Sequence, residues 1–223
     1  MWSFHGLAAV ERVDALDYSL GAMASEHSER YFESVAALVH AIDRDKVDLI
    51  ARGLAAVRAR GGRLFVLGVG GGAGHASHAV NDFRKLCAIE SYAPTDNVSE
   101  LTARTNDDGW DTSYSAWLEV SRLSADDALM VFSVGGGSRE HKVSINIVNA
   151  LELASRVGAS IYGVVGSPGG ALAECADTAI ILEPPADLRT PLVESFQAVV
   201  WHALVSHPEL AAQRGHWESI TLR

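Results

Sequence analysis

Three histidines and two acids stand in this chain at spacings that could do acid–base or metal chemistry. His78 and Asp82 are four residues apart, so on a helix they share one face and can meet at one metal or one substrate atom. His75, three residues before His78, either joins them or faces the loop that precedes it. Near the other end of the chain, Glu194 and His202 lie among Phe196, Val199, Val200, Trp201 and Leu204. Eight residues of helix rise about 12 Å, so these two cannot share one atom without long side-chain reach or a second subunit. Bland alternatives stand beside each reading. A helical His/Asp pair is often a solvated face, and a histidine in an apolar helix is often a core residue satisfied by one hydrogen bond.

Glycine loops precede these helices. Leu64–Leu67 leads into Gly68-Val69-Gly70-Gly71-Gly72-Ala73-Gly74 and then a helix from about residue 75 to 86. Ala128–Ser133 leads into Val134-Gly135-Gly136-Gly137-Ser138 and a helix ending at Gly158. Ser160–Val165 leads into Gly166-Ser167-Pro168-Gly169-Gly170 and a short helix to about Cys175. A strand, a glycine turn and a helix N-terminus together form an anion site, because unpaired N–H groups and the helix dipole point at the turn. One such loop is often no more than a tight turn, whereas three at strand C-termini point to a bound phosphate. Ser133 and Ser138 add hydroxyl donors around the second loop. The first loop also fits a dinucleotide fingerprint (Gly68, Gly70, Ala73, then Glu90), a weak match that explains neither the second loop nor the histidines. No G-K-[ST] follows it, which excludes a Walker A loop.

The elements that must position these groups are legible as well. Phe32, Val35, Leu38, Val39 and Ile42 recur at helical spacing, as do Val47, Ile50, Leu54 and Val57. This predicts two helices split near Asp43–Asp45, the second stopping at Gly61-Gly62. Thr178–Leu182 reads as a last strand, before a helix from about Pro191 to Ser206. Apolar strands alternating with helices predict a parallel sheet covered on both faces. The expected organisation of residues 1–223 is a single domain: an N-terminal helical arm (1–60), an α/β core (61–206) and a C-terminal tail (207–223). The polar run Thr105–Asp111 reads as a surface loop whose Asx-turn caps a helix near Thr112. As a site, it offers acceptors for sugar hydroxyls and the face of Trp110.

Composition bounds the partners. The 223 residues are 48% hydrophobic and 21% charged, with 18 Lys+Arg against 28 Asp+Glu and a formal net charge of −10. That balance argues against nucleic acid or an anionic membrane as the main partner. Two cysteines, Cys87 and Cys175, exclude a disulfide framework and a cysteine zinc cluster. With no long apolar run and no cationic, apolar leader at the N-terminus, a cytoplasmic protein is expected.

The order of these motifs resembles the sugar isomerase (SIS) domain, and within it the sedoheptulose-7-phosphate (phosphoheptose) isomerases. The resemblance rests on Gly68–Gly72, His78-x-x-x-Asp82, Asn106-Asp107, Ser133–Ser138, Gly169-Gly170 with Ala176-Asp177, and Glu194 with His202. It implies an α/β three-layer sandwich: a central parallel sheet of about five strands, flanked by helices. It also implies an aldose–ketose isomerase that converts sedoheptulose 7-phosphate to a heptose 7-phosphate through an enediol. Carried over, Asp82 and His202 are the acid–base pair, in either order, and zinc is held by His78, Asp82, Glu194 and His202. Substrate is met by Val69, Gly70, Gly71, Gly72, Asn106, Asp107, Ser133, Val134, Gly135, Ser138 and Glu194. A homotetramer with shared sites and no nucleotide cofactor are further expectations. This chain departs from the family pattern in several places. Val69 and Gly72 replace Asn and Ser, Val134 and Gly135 replace Thr and Ser, Asp82 replaces Glu, and Glu194 replaces Gln; His75 is an addition. The thinned loops leave a second reading: a non-catalytic SIS module that binds phosphosugars or a protein partner as a regulator.

Overall fold

The computed structural model describes residues 20–212. Two helices open it, α1 (Leu20–Ala41) and α2 (Arg44–Ala59). The Asp43 side chain accepts from the Lys46 N–H and so caps α2. The expected division of the arm at Asp43 is therefore a capping event. The core follows as β1 (Leu64–Gly68), α3 (Gly71–Cys87), β2 (Ser91–Tyr92), α4 (Val98–Asp107), α5 (Ser113–Val120), β3 (Ala128–Ser133), α6 (Ile145–Val157), β4 (Ser160–Gly166), α7 (Gly170–Cys175), β5 (Thr178–Leu182) and α8 (Arg189–Val205). Short 3₁₀ turns at Trp110–Thr112 and Ala186–Leu188 lead into α5 and α8.

The sheet has five strands, all parallel, in the order β2-β1-β3-β4-β5. Successive strand side chains alternate between faces. Leu64, Val66, Met130, Phe132 and Val164 accordingly pack under α2, α3 and α8. Phe65, Leu67, Leu129, Val131, Ile161 and Val165 pack under α5, α6 and α7. Burial on both faces is what made these strands readable as unbroken apolar runs. The two-residue β2 had no such run and was not expected from its own residues.

From β1 the chain steps outward to β2, then returns across the sheet so that β3 lies on the other side of β1. The connections diverge between β1 and β3, which makes the crevice at their C-terminal ends the ligand position of an open α/β sheet. The first two glycine loops lie there. Behind the sheet, Arg58 donates to the carbonyls of Cys87 and Leu210 at 2.8 and 2.6 Å. Ala212 N–H donates to Leu86 O, so the first residues of the expected tail are tied to the core. Among the described residues, no helix is long and apolar enough to cross a membrane.

Candidate active site at the α3/α8 seam

Helices α3 and α8 both follow strands on the same face, so they run side by side in the same direction away from the sheet's C-terminal edge. Their contact is a seam of polar pairs. At its loop end, a Cβ placed on Gly71 would lie 2.6 Å from the Glu194 carboxyl carbon. One turn further, His75 Nδ1 meets Gln197 Oε1 at 2.9 Å. Deeper still, His78, Asp82 and His202 converge, with ligand atoms all within 4.8 Å of one another. His78 Nε2 and His202 Nε2 lie 3.5 and 3.6 Å from Asp82 Oδ2.

The acid at the centre is sunk and the bases are not. Asp82 is 7% exposed; its Oδ2 accepts from the indole N–H of buried Trp201 at 3.1 Å, and its Oδ1 accepts from Asn81 at 3.0 Å. His202 Nδ1 lies 2.8 Å from the Ala198 carbonyl. A carbonyl only accepts, so Nδ1 carries the hydrogen and Nε2 offers a lone pair toward Asp82. Two imidazoles and a carboxylate, so held, form a set that can bind a metal ion. In a tetrahedron with arms of about 2.1 Å, ligand atoms sit roughly 3.4 Å apart, close to the two separations found here.

The glycine loops take different parts. Gly70, before α3, has φ +59° and stands exposed, so the first loop faces outward. Tyr114, on α5, braces this loop by donating its hydroxyl to Gly68 O, and burial pushes its phenol up to about 12. In the second loop, Ser133 Oγ accepts from Gly136 N–H and Ser138 Oγ accepts from His141 N–H. Both hydroxyls therefore brace the loop, each keeping its own hydrogen to donate. The helix expected straight after Ser138 is delayed, because Ser138 and Val143 exchange backbone hydrogen bonds in a small antiparallel turn and α6 begins only at Ile145. The third loop is not a free anion site. Ala171 and Leu172, at the start of α7, give their N–H groups to Gly137 O and Gly136 O. A Cβ at Gly136 would strike Gly169 O, so this splint needs glycine there.

Asn106 and Asp107 form the last turn of α4, not a loop; Asn106 donates to Asp107 Oδ1 at 2.7 Å. The Asx cap lies upstream instead, where Asn97 caps α4, and Thr112 makes no side-chain cap. Trp110 follows, half exposed, with its ring edge against Tyr114. The structure thus gathers His78, Asp82 and His202, sets Glu194 by Gly71 apart from them, and leaves Asn106 and Asp107 exposed on the α4 end.

No protein-family model matches the chain. The phosphoheptose isomerase of Nitratidesulfovibrio vulgaris is 31% identical over 181 residues, 79% of this chain and 78% of that protein. The chain belongs to the phosphoheptose isomerase family. The lincomycin biosynthesis protein LmbN of Streptomyces lincolnensis is 37% identical over 159 residues, 66% of this chain but 56% of LmbN, so the chain spans little more than half of that relative. The fold is that of the phosphoheptose isomerase GmhA from Neisseria gonorrhoeae, with a TM-score of 0.65 at 23% identity over 83% of this chain and 95% of the other. A phosphoheptose isomerase from Francisella tularensis gives 0.66 at 23% identity, over 84% and 96%.

Two residues of this family member escaped sequence reasoning. Trp201 reads as one of the apolar residues of its helix and Gln197 draws no reading at all, yet Gln197 holds His75 and Trp201 holds Asp82. Their spacing carried a usable signal. Glu194, Gln197 and Trp201 recur at steps of three and four residues, and His202 lies eight residues from Glu194, which makes a polar stripe inside an apolar helix.

Proposed function

We propose that this chain is an aldose–ketose isomerase of phosphorylated sugars, taking sedoheptulose 7-phosphate to a heptose 7-phosphate through an enediol. The observation that carries this reading is the convergence of His78, Asp82 and His202 at the α3/α8 seam. Enediol chemistry needs groups that take and return protons at neighbouring carbons and oxygens. Asp82 and His202 are the proposed acid–base pair. A regulator that only binds phosphosugars has no use for a buried carboxylate flanked by two imidazoles, so the catalytic reading is favoured over the binding module.

The donor set fits zinc: imidazole and carboxylate ligands without thiolate, with the His202 lone pair aimed inward by its bond to Ala198 O. His78, Asp82 and His202 would hold the ion, and when bound it would polarise the sugar carbonyl. Glu194 is proposed as a substrate contact at the loop end; as a fourth ligand its carboxylate must move from Gly71 toward His202. Backbone N–H groups of the first two loops, Val69–Gly72 and Ser133–Gly135, together with Ser138, are proposed to receive the phosphate, with Asn106 and Asp107 at the sugar hydroxyls. We further propose a cytoplasmic homotetramer with shared sites. Exposed Phe32 and Val39 on α1 and Val199 on α8 support self-association. The test is turnover of sedoheptulose 7-phosphate alongside metal analysis of the purified protein. Turnover with a stoichiometric divalent ion is expected; no ion and no turnover at millimolar substrate would overturn the reading.

A further inference from the structure

On the face of the sheet away from the α3/α8 seam, a groove of about 610 Å³ lies between α6, α7 and the second glycine loop. That volume falls within the roughly 300–1,000 Å³ of small-molecule sites. Val148 and Leu151 of α6 and Ala171 and Cys175 of α7 give it apolar walls. Burial pushes the Cys175 thiol up, so it stays protonated and adds apolar surface. The turn that delays α6 adds a further wall. Its Arg139 crosses to α6, donating to Glu152 Oε1 at 3.0 and 2.6 Å and to Asn149 Oδ1 at 2.8 Å.

The charge of this groove is one-sided. Glu140, Glu152 and Glu174 line it against a single cation, Arg139, and Arg139 is spent on Glu152. Glu140 in the turn and Glu174 on α7 are both exposed and make no ion pair among the described residues. Apolar walls bordered by two unpaired carboxylates are complementary to an apolar body with an ammonium or guanidinium head. Carboxylates receive such N–H groups in short, charge-assisted bonds. An anion would meet two like charges, so a phosphosugar does not suit this groove. The net charge of −10 favours the same sign of ligand.

We propose that this groove is a second ligand site, taking a small organic cation whose apolar body lies along Val148, Leu151 and Ala171 and whose head meets Glu140 and Glu174. The site is separate from the His78, Asp82 and His202 cluster and does not rest on the isomerase reading. It does adjoin the support of the second loop. Gly137, Gly170 and Ala171 line the groove, and Ala171 N–H donates to Gly137 O at 3.0 Å. A bound cation therefore sits against the splint that holds the loop from behind.

The test titrates the full chain with phenethylammonium, and with 2-phenylethanol and phenylacetate as neutral and anionic counterparts of the same body, reading affinity by calorimetry. The cation should saturate the protein in the millimolar range, at least about threefold tighter than the alcohol, with phenylacetate weaker still. Glu140→Gln with Glu174→Gln changes two exposed side chains and should abolish the preference for the cation. Ser155→Trp places a bulky ring on an exposed position of the groove wall and should abolish binding of the cation. Equal affinity for cation and alcohol, or no saturation at millimolar cation, overturns the proposal. So does a preference that survives the double substitution, or binding that Ser155→Trp leaves untouched. Binding that emerges only when the protein is diluted out of an assembly overturns it too, since a second copy then fills the groove. None of these readouts uses turnover, so failure of the isomerase reading and failure of this site are told apart.

Discussion

Asp82 and Asp127 are two acids sunk in the same core, 7% and 2% exposed, and they do opposite work. Asp127 is saturated by one partner and its surroundings. Arg63 grips both its oxygens through Nε and Nη2, the Arg63 and Ser124 backbone N–H groups add to them, and the Ser124 hydroxyl donates as well. Burial alone would raise this carboxyl, but the hydrogen bonds from Arg63 and Ser124 outweigh it and hold it below the usual carboxylate range. Asp82 receives only an indole and an amide, and it faces two exposed imidazoles across gaps too long for strong hydrogen bonds. Burial does not distinguish a site from a strut. The distinction lies in whether the partners leave lone pairs and space for something else.

The largest effect expected from this contrast is on turnover. Asp82→Asn should lower kcat about 10³-fold while moving urea-unfolding stability by no more than about 1 kcal/mol. A stability loss matching that of Asp127→Asn would break the contrast. Asp127→Asn should do the reverse. It strips charge from a buried ion pair and should cost about 3 kcal/mol, with kcat of the surviving folded protein near wild type.

Acid titration sharpens the same point. The folded-state pKa of Asp127 is depressed, so its contribution is fully present above the unfolded value of about 4 and is lost as pH falls through the folded value. The wild-type stability curve should therefore fall in that acid window, and Asp127→Asn should flatten it there. The smallest effect is expected for Trp201→Phe, which keeps an aromatic plate but removes the N–H that holds Asp82. Metal affinity should drop about tenfold, with a stability loss of about 1 kcal/mol from the space the smaller ring leaves in the core.

Much of this was legible before any fold was known. Leu64–Leu67, Ala128–Ser133, Ser160–Val165 and Thr178–Leu182 announced themselves because a strand buried on both faces must be apolar throughout. His78 and Asp82 were legible because helical spacing alone puts them on one face. That His202 would join them needed the α3/α8 packing, which is long-range and leaves no local trace. The third glycine loop misled for a related reason. Its signature is the same as that of the first, and only the placement of Gly136 and Gly137 across from Gly170 reveals that its N–H groups are already taken. Asn106 and Asp107 misled through composition, since a polar run ending a helix looks like a polar loop.

Trp201 has a consequence beyond holding one carboxylate. Its indole touches the rings of His75, His78, His202 and Phe132 at 4.8–5.7 Å, buried where its emission is blue-shifted. Indole emission is quenched by a protonated imidazole nearby and is sensitive to a cation beside a hydrogen-bonded carboxylate. The seam therefore carries its own fluorophore. Half-exposed Trp110 sits by the loops with a redder environment. In a variant that keeps only Trp110 and Trp201 of the chain's five tryptophans, a spectrum resolved into blue and red components would watch the seam and the loop end fill as separate events, without a label.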